Sequence, residues 1–274
     1  MPLPYSTKFL ALLLAGLFPF FPVEARSEIA ETPDVETASD QYKLRFRGKT
    51  GKWFFKKQAD GLLSALAPWK GATILDVGGG HGQYTEQLVN AGYSVTVLGS
   101  SPEADKQIRD LVAAGKCQYR IGNLLDLPVA DQSYDIVISF RLLSHLRDWR
   151  GFIDELTRVA RRAVILDFPI LCSSNILYPL LFWLKRAGEG NSTRTFHVFR
   201  EKEVLGEFRK NGFEGTVRHP QYFLPMVAHR KLHSLWASMQ FERFFAAVGL
   251  TRLFGSPVIL RAERQAAAEP FHPT

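Results

Sequence analysis

Cysteine is scarce in this sequence: Cys117 and Cys172 are the only two among 274 residues, and neither stands in a C-x-x-C pair or a metal-ligand spacing. No disulfide framework or thiolate metal site is implied, and a reduced compartment is compatible. An apolar run of membrane-spanning length is also missing. Phe9 to Val23 is nearly uncharged, but at about 15 residues, broken by Pro19 and Pro22, it is too short for a standard span. Lys8 precedes it, and Val23-Glu24-Ala25 closes it with small residues at 23 and 25 that suit a signal-peptidase cut. Residues 1–26 therefore read as a signal-like or anchor segment, with an interfacial segment as the alternative. The expected location is cytoplasmic or membrane-associated, with export left open. A net charge of +7 admits an anionic partner, whether a membrane surface, a nucleic acid or a phosphorylated substrate, or simply a soluble surface.

The central stretch is defined partly by what it omits. Ile74-Leu75-Asp76-Val77-Gly78-Gly79-Gly80-His81-Gly82-Gln83-Tyr84 runs from apolar residues through an acid into a cluster of glycines, then takes up the Tyr84, Leu88, Ala91 spacing of a helix face. This is a strand, a tight turn and a helix start, in which glycines let the backbone turn sharply and admit a ligand at the helix N-terminus. A phosphate-binding P-loop needs Lys and then Ser or Thr after its last glycine, where this chain has Gln83-Tyr84. A dinucleotide fingerprint starting from Gly78 and Gly80 needs Gly or Ala at 83, which is Gln. What remains is D-x-G-x-G-x-G at Asp76, Gly78, Gly80 and Gly82.

Around this turn, strands and helices alternate. Phe55, Ala59, Leu62, Leu63 and Leu66 predict a helix over Trp53 to Leu66, stopped by Pro68 and Gly71. Strands are expected at 94–98, 117–121, 134–140 and 163–168. A helix should open at Ser101-Pro102-Glu103 with Ala104, Ile108, Leu111 and Val112 as its buried stripe, and another should bury Phe152, Ile153, Leu156, Val159 and Ala160. Such alternation means a parallel sheet with right-handed crossovers and a ligand crevice at the strands' carboxyl ends. Further on, an apolar stripe covers Ile176 to Leu184, an amphipathic helix Glu201 to Lys210, a sixth strand lies near Gly215 to Arg218 and a seventh at Ser256 to Arg261. Residues 219–255 form a helical insertion whose aromatics are either core or a lid over a hydrophobic acceptor. The domain proper is expected at 41–264, after an acidic flexible linker at 27–40 and before a disordered tail at 265–274.

Residues 70 to 170 resemble class I S-adenosylmethionine-dependent methyltransferases, with the D-x-G-x-G-x-G turn corresponding to their motif I. L-P-x-x-D-x-S-Y-D at 127–135, followed by a strand and a histidine, resembles the branch that includes ubiquinone and menaquinone biosynthesis enzymes. The resemblance implies an α/β fold: a Rossmann-like, seven-stranded, mostly parallel sheet with helices on both faces, a helical insertion before the last strand, and that strand antiparallel. It implies S-adenosylmethionine as cofactor. It also places Gly78, Gly79, Gly80 and Gly82 against the donor's amino-acid and ribose parts, Asp76 at its ammonium, Asn123 and Leu124 around the adenine, and Gly99, Ser100 and Phe140 beside the cofactor. Two positions depart from the family. Where it has an acid for the ribose hydroxyls, this chain has Gly99-Ser100-Ser101, and where it often has Asp for the adenine amino group, this chain has Asn123. Each change forgoes charge assistance worth about 1 kcal/mol.

Methyl transfer asks a protein to align donor and acceptor, exclude water and remove a proton from a hydroxyl or enol nucleophile. The acceptor is expected to be small and apolar or lipid-like. His145, just beyond the fourth strand, is the candidate base, with a capping or packing histidine as the alternative reading. Arg141 is a candidate for an anionic substrate group and Tyr84 for the cofactor entrance; no metal is expected. Two rivals stand beside this reading. A nucleic-acid methyltransferase of the amino-methylating kind resembles others in an Asn/Asp-Pro-Pro-aromatic motif after the fourth strand, where this chain has Ser139-Phe140-Arg141-Leu142, so a nucleic-acid partner is not expected. A non-catalytic S-adenosylmethionine-binding protein rests on the missing ribose acid.

Overall fold

The computed structural model describes residues 31–37, 39, 46–79, 82, 84–173 and 196–265. The described residues open with a short helix α1 (Pro33–Thr37), followed by a long α2 (Gly48–Leu66) and β1 (Thr73–Val77). α3 (Thr85–Asn90), β2 (Ser94–Gly99), a 3-10 turn (Pro102–Asp105), α4 (Arg109–Ala113) and β3 (Gln118–Ile121) follow. Next come β4 (Tyr134–Ser139), a 3-10 turn (Leu143–His145), α5 (Trp149–Val159) and β5 (Ala160–Phe168). The last described part holds α6 (Glu201–Lys210), β6 (Phe213–Tyr222), α7 (Met226–Lys231), α8 (Leu235–Ala247), α9 (Leu250–Phe254) and β7 (Ser256–Arg264).

The seven strands form one sheet in the order β3-β2-β1-β4-β5-β7-β6. β1 to β5 are parallel, and β7 runs antiparallel between β5 and β6. The pleat sorts alternate residues onto two faces. Leu75, Val77, Val137, Val164 and Leu166 pack beneath Phe152, Ile153 and Leu156 of α5 and Val204 and Phe208 of α6. Ile74, Val97, Ile136, Ile138 and Ile165 pack beneath Leu62 and Leu66 of α2 and Leu88 of α3. Burial on both faces explains why the central strands read as continuous apolar runs rather than alternating ones. This is the Rossmann-like sheet with an antiparallel last strand that the sequence implies.

The differences in detail have local causes. The helix expected after Ser101 is split into the 3-10 turn and α4; the Ser101 side chain makes no capping bond, and its carbonyl instead accepts from Tyr119 Oη. β6 continues through Pro220 to Tyr222, so the insertion begins at 223 rather than 219. Pro220 is tolerated because β6 is the edge strand, where a missing N–H need not break a ladder. Within the acidic stretch 27–40, Pro33–Thr37 is helical and Asp34 is buried. The apolar stripe Ile176 to Leu184, the segment 1–26 and residues 266–274 lie outside the described residues. Among the described residues, no helix is long and apolar enough to cross a membrane.

Candidate functional site

The site is built from the carboxyl ends of β1, β4 and β5. At the end of β1, Gly78 takes φ +75 while its N–H donates to Leu98 O, which ties the turn to β2. A Cβ on Gly78 would come within 2.7 Å of Leu142, and one on Gly79 within 2.0 Å of the Asp76 carboxylate, so neither position has room for a side chain. Gly82, at φ +65, closes the turn by donating to Gly79 O. Gly80, His81 and Gln83 lie outside the described residues. Beneath the glycines, Asp76 is 1% exposed, and neither carboxylate oxygen has a hydrogen-bond partner. Burial pushes its carboxyl group up to about 7, against the pull of the Arg141 charge. A buried carboxylate without donors, under a turn stripped of side chains, suits a cation that brings its own N–H groups. The ammonium of S-adenosylmethionine meets that requirement.

A second acid shares the same face of the sheet. Asp167, at the end of β5, accepts from the Arg141 N–H and, at 3.3 Å, from Gln58 Nε2 of α2. Burial raises its carboxyl to about 6, opposed by the Arg141 N–H and charge and by Gln58. Gln58 Oε1 in turn accepts from Tyr84 Oη at 2.9 Å. Arg141 holds φ +57, an uncommon region for a bulky side chain, and its guanidinium sits 5.1 Å from the Phe46 ring and 4.9 Å from the Phe55 ring. Its charge opposes the upward shift of both the Asp76 and the Asp167 carboxyl groups, and the sequence offers the same side chain to an anionic substrate group. Tyr84, offered as an entrance residue, is instead a buried wall whose hydroxyl serves Gln58; Phe140 is equally buried, 4.9 Å from the Tyr84 ring.

At the end of β2, Gly99 stands where the resemblance leads one to look for the ribose acid. A Cβ on Gly99 would lie 2.2 Å from Tyr119 Oη, so a side chain has no space there. The carboxylate beside this loop comes from another element. Ser100 N–H and Oγ both donate to Asp34 of α1, at 2.7 and 2.5 Å, and Asp34 is 1% exposed. Three residues earlier, Glu31 accepts from the N–H groups of Arg147 and Asp148, at 2.8 and 3.2 Å, in the loop beyond β4. The segment 31–34 thus ties the loop after β2 to the start of α5. On β3's side, Asn123 Oδ1 accepts from Leu125 N–H at 3.0 Å, so the acceptor offered to the adenine serves its own turn, and Leu124 is buried in the core. His145 stands on the 3-10 turn after β4, half-buried, with its ring 5.7 Å from that of Phe196.

Sequence reasoning missed Asp167, Gln58, Asp34 and Glu31. Two of these had signals: Asp167 ends the apolar run Ala163-Val164-Ile165-Leu166 as Asp76 ends β1, and Gln58 interrupts the apolar row Phe54, Leu62 at helical spacing. Asp34 and Glu31 had none, since their partners lie 66 and 116 residues away.

The family described as Methyltransferase domain matches residues 75–166, the stretch that carries the turn, β2 to β4 and most of β5. Residues 75–166 thus match a methyltransferase domain, and the fold around them agrees with that match. It is 35% identical over 112 residues to the O-methyltransferase resE of Aspergillus sclerotiorum (39% of this chain, 42% of that protein). It is 37% identical over 97 residues to the ajmaline N-methyltransferase of Rauvolfia serpentina (33% of each). The chain thus spans less than half the length of either relative. Its fold is similar to that of magnesium protoporphyrin IX methyltransferase from Synechocystis PCC 6803 with bound S-adenosylhomocysteine: TM-score 0.57, 18% identity, covering 82% of this chain and 94% of that one.

Proposed function

We propose that the protein transfers a methyl group from S-adenosylmethionine to a small, apolar acceptor that enters over the carboxyl ends of β4 and β5. The observation that carries this reading is the Asp76 carboxylate, buried, without hydrogen-bond partners and roofed by glycines. When bound, S-adenosylmethionine supplies an electrophilic methyl group on a sulfonium. Asp76 holds the donor's ammonium, and Gly78 and Gly79 let the backbone approach it. Asp34 takes the part of the acid that residue 99 cannot carry, with Ser100 N–H and Oγ fixing its carboxylate beside the end of β2. Arg141, Asp167 and Gln58 form a rigid polar floor under the acceptor. His145 accepts the proton where the nucleophile is a hydroxyl or enol, a general-base task suited to an imidazole. The relatives' names, an O-methyltransferase and an alkaloid N-methyltransferase, support a small-molecule acceptor over a nucleic acid.

The 127–135 pattern that resembles the quinone-biosynthesis branch is occupied in structural work. Arg158 binds Leu127 O, Val129 O and Asp131, and Asp135 accepts from Thr73 and Arg161. It bears on descent more than on the choice of acceptor. Titration calorimetry with S-adenosylmethionine should give a single site whose affinity drops at least about tenfold in Asp76→Ala, the loss of one charge-assisted hydrogen-bond set. S-adenosylhomocysteine should be released with cell lipid extract and not with RNA. Binding without release under any extract would leave a donor-binding protein without turnover, and release with RNA alone would overturn the small-molecule acceptor.

A further inference from the structure

The helical module between β6 and β7 has its polarity reversed. The fully buried residues of α7, α8 and α9 are His229, Ser238, Glu242 and Thr251, all of them polar. Its solvent side carries Trp236 at 72% exposure, Phe244 at 59%, Leu253 at 62%, and Val227, Phe241, Val248 and Phe254 besides. These are seven of the ten large apolar side chains that are exposed among the described residues. The inward polar groups brace the module on itself: Glu242 accepts from Phe223 N–H and Leu224 N–H at 2.9 Å, and His229 Nε2 lies 3.1 Å from its Oε1. A helix in water turns its apolar stripe inward. Here α8 turns Trp236, Phe241 and Phe244 outward, with Val248 just past its end, a patch of the kind that marks an interaction surface.

Charge decides what that surface meets. Between residues 223 and 255 the exposed charged side chains are Arg230, Lys231, Arg243 and Arg252, and the one acid, Glu242, is buried. A second copy of the chain docking here would bring like charges together, which costs affinity. An anionic lipid surface accepts both features, aromatic side chains at the acyl boundary and cations among the headgroups. We propose that this face docks the protein onto anionic bilayers as a peripheral membrane surface, lying flat without spanning. It brings the sheet's carboxyl edge to where apolar molecules dissolve, independently of whether the reading of the donor site holds.

The test uses the full chain and vesicles of phosphatidylcholine with a quarter phosphatidylglycerol. The chain should co-sediment with them at low salt, and about 0.5 M salt should weaken the association several-fold through screening of the four cations. Phosphatidylcholine brominated in its acyl chains should quench part of the tryptophan fluorescence, and that part should vanish in Trp236→Phe. Trp236→Ser with Phe244→Ser should lower vesicle partition at least about tenfold with an unchanged circular dichroism spectrum. Should that pair not fold, Arg230→Glu with Lys231→Glu gives the same reading through charge. If vesicles bind but Trp236→Phe quenches like the parent, docking occurs elsewhere, as through the apolar run at 9–23, and the proposal fails. It fails equally if the chain ignores the vesicles, including the case in which it dimerises through this face.

Discussion

Asp76 and Asp167 lie on one face of the sheet with carboxyl groups raised to about 7 and about 6 by burial. Their pH dependence follows from the sign of those shifts. In the unfolded chain both release their protons near the ordinary value of 3.8, whereas the folded protein holds them to higher pH. From about pH 4 to 7 the folded state therefore binds more protons, and stability without ligand falls as pH rises through that window. Urea unfolding at pH 5 and pH 8 should show this loss, and Asp76→Asn, which carries no charge at either pH, should show a smaller one. A cationic donor favours the ionised carboxylate, so its affinity should rise from pH 6 to pH 8. Calorimetry below pH 7 in two buffers of different ionisation heat should detect release of a proton on binding. Gly99 gives a prediction of packing alone. Gly99→Ala sets a Cβ against Tyr119 Oη and should cost about 1–3 kcal/mol in urea unfolding, and adding Tyr119→Phe, which removes that oxygen, should recover most of it.

At the scale of elements, α1 is held by side chains rather than by a core. It has 5 residues and gives Asp34 to Ser100, while Glu31 just before it binds the loop beyond β4. Asp34→Ala should remove roughly 2 kcal/mol of local stability, from charged hydrogen bonds worth about 1.5–3 kcal/mol each less the water that replaces them. Limited proteolysis should then cut between 31 and 46 sooner than in the parent, with donor affinity reduced in parallel; unchanged affinity would separate α1 from the donor site. This element also shows where sequence reading stops. β1, β2, β4 and β5 are legible because each is a short, largely apolar run buried in the sheet, and α6 because its apolar spacing, acidic start and basic end agree. Asp76, Gly78 and Gly79 are legible as a turn because only glycine fits there. Asp34 is one acid among Glu28, Glu31, Asp34, Glu36 and Asp40, and nothing local distinguishes it from the others. The space beside Gly99, likewise, is closed by a tyrosine twenty residues on, on the neighbouring strand.

For the whole molecule, the helical module leaves and rejoins the sheet at one place. Tyr222 and Ser256 are paired across β6 and β7, so the 223–255 segment leaves and re-enters the sheet at neighbouring residues. Replacing it by a short turn should keep donor affinity within about twofold, while the thermal midpoint falls by several degrees because Phe54 and Trp53 lose their contacts with His229. An insertion whose two ends already touch makes no demand on chain path or sheet register. The sheet and the module can consequently be inherited separately: the first is fixed by strand register, and the second is free to be exchanged, lengthened or lost in a single event at one hairpin.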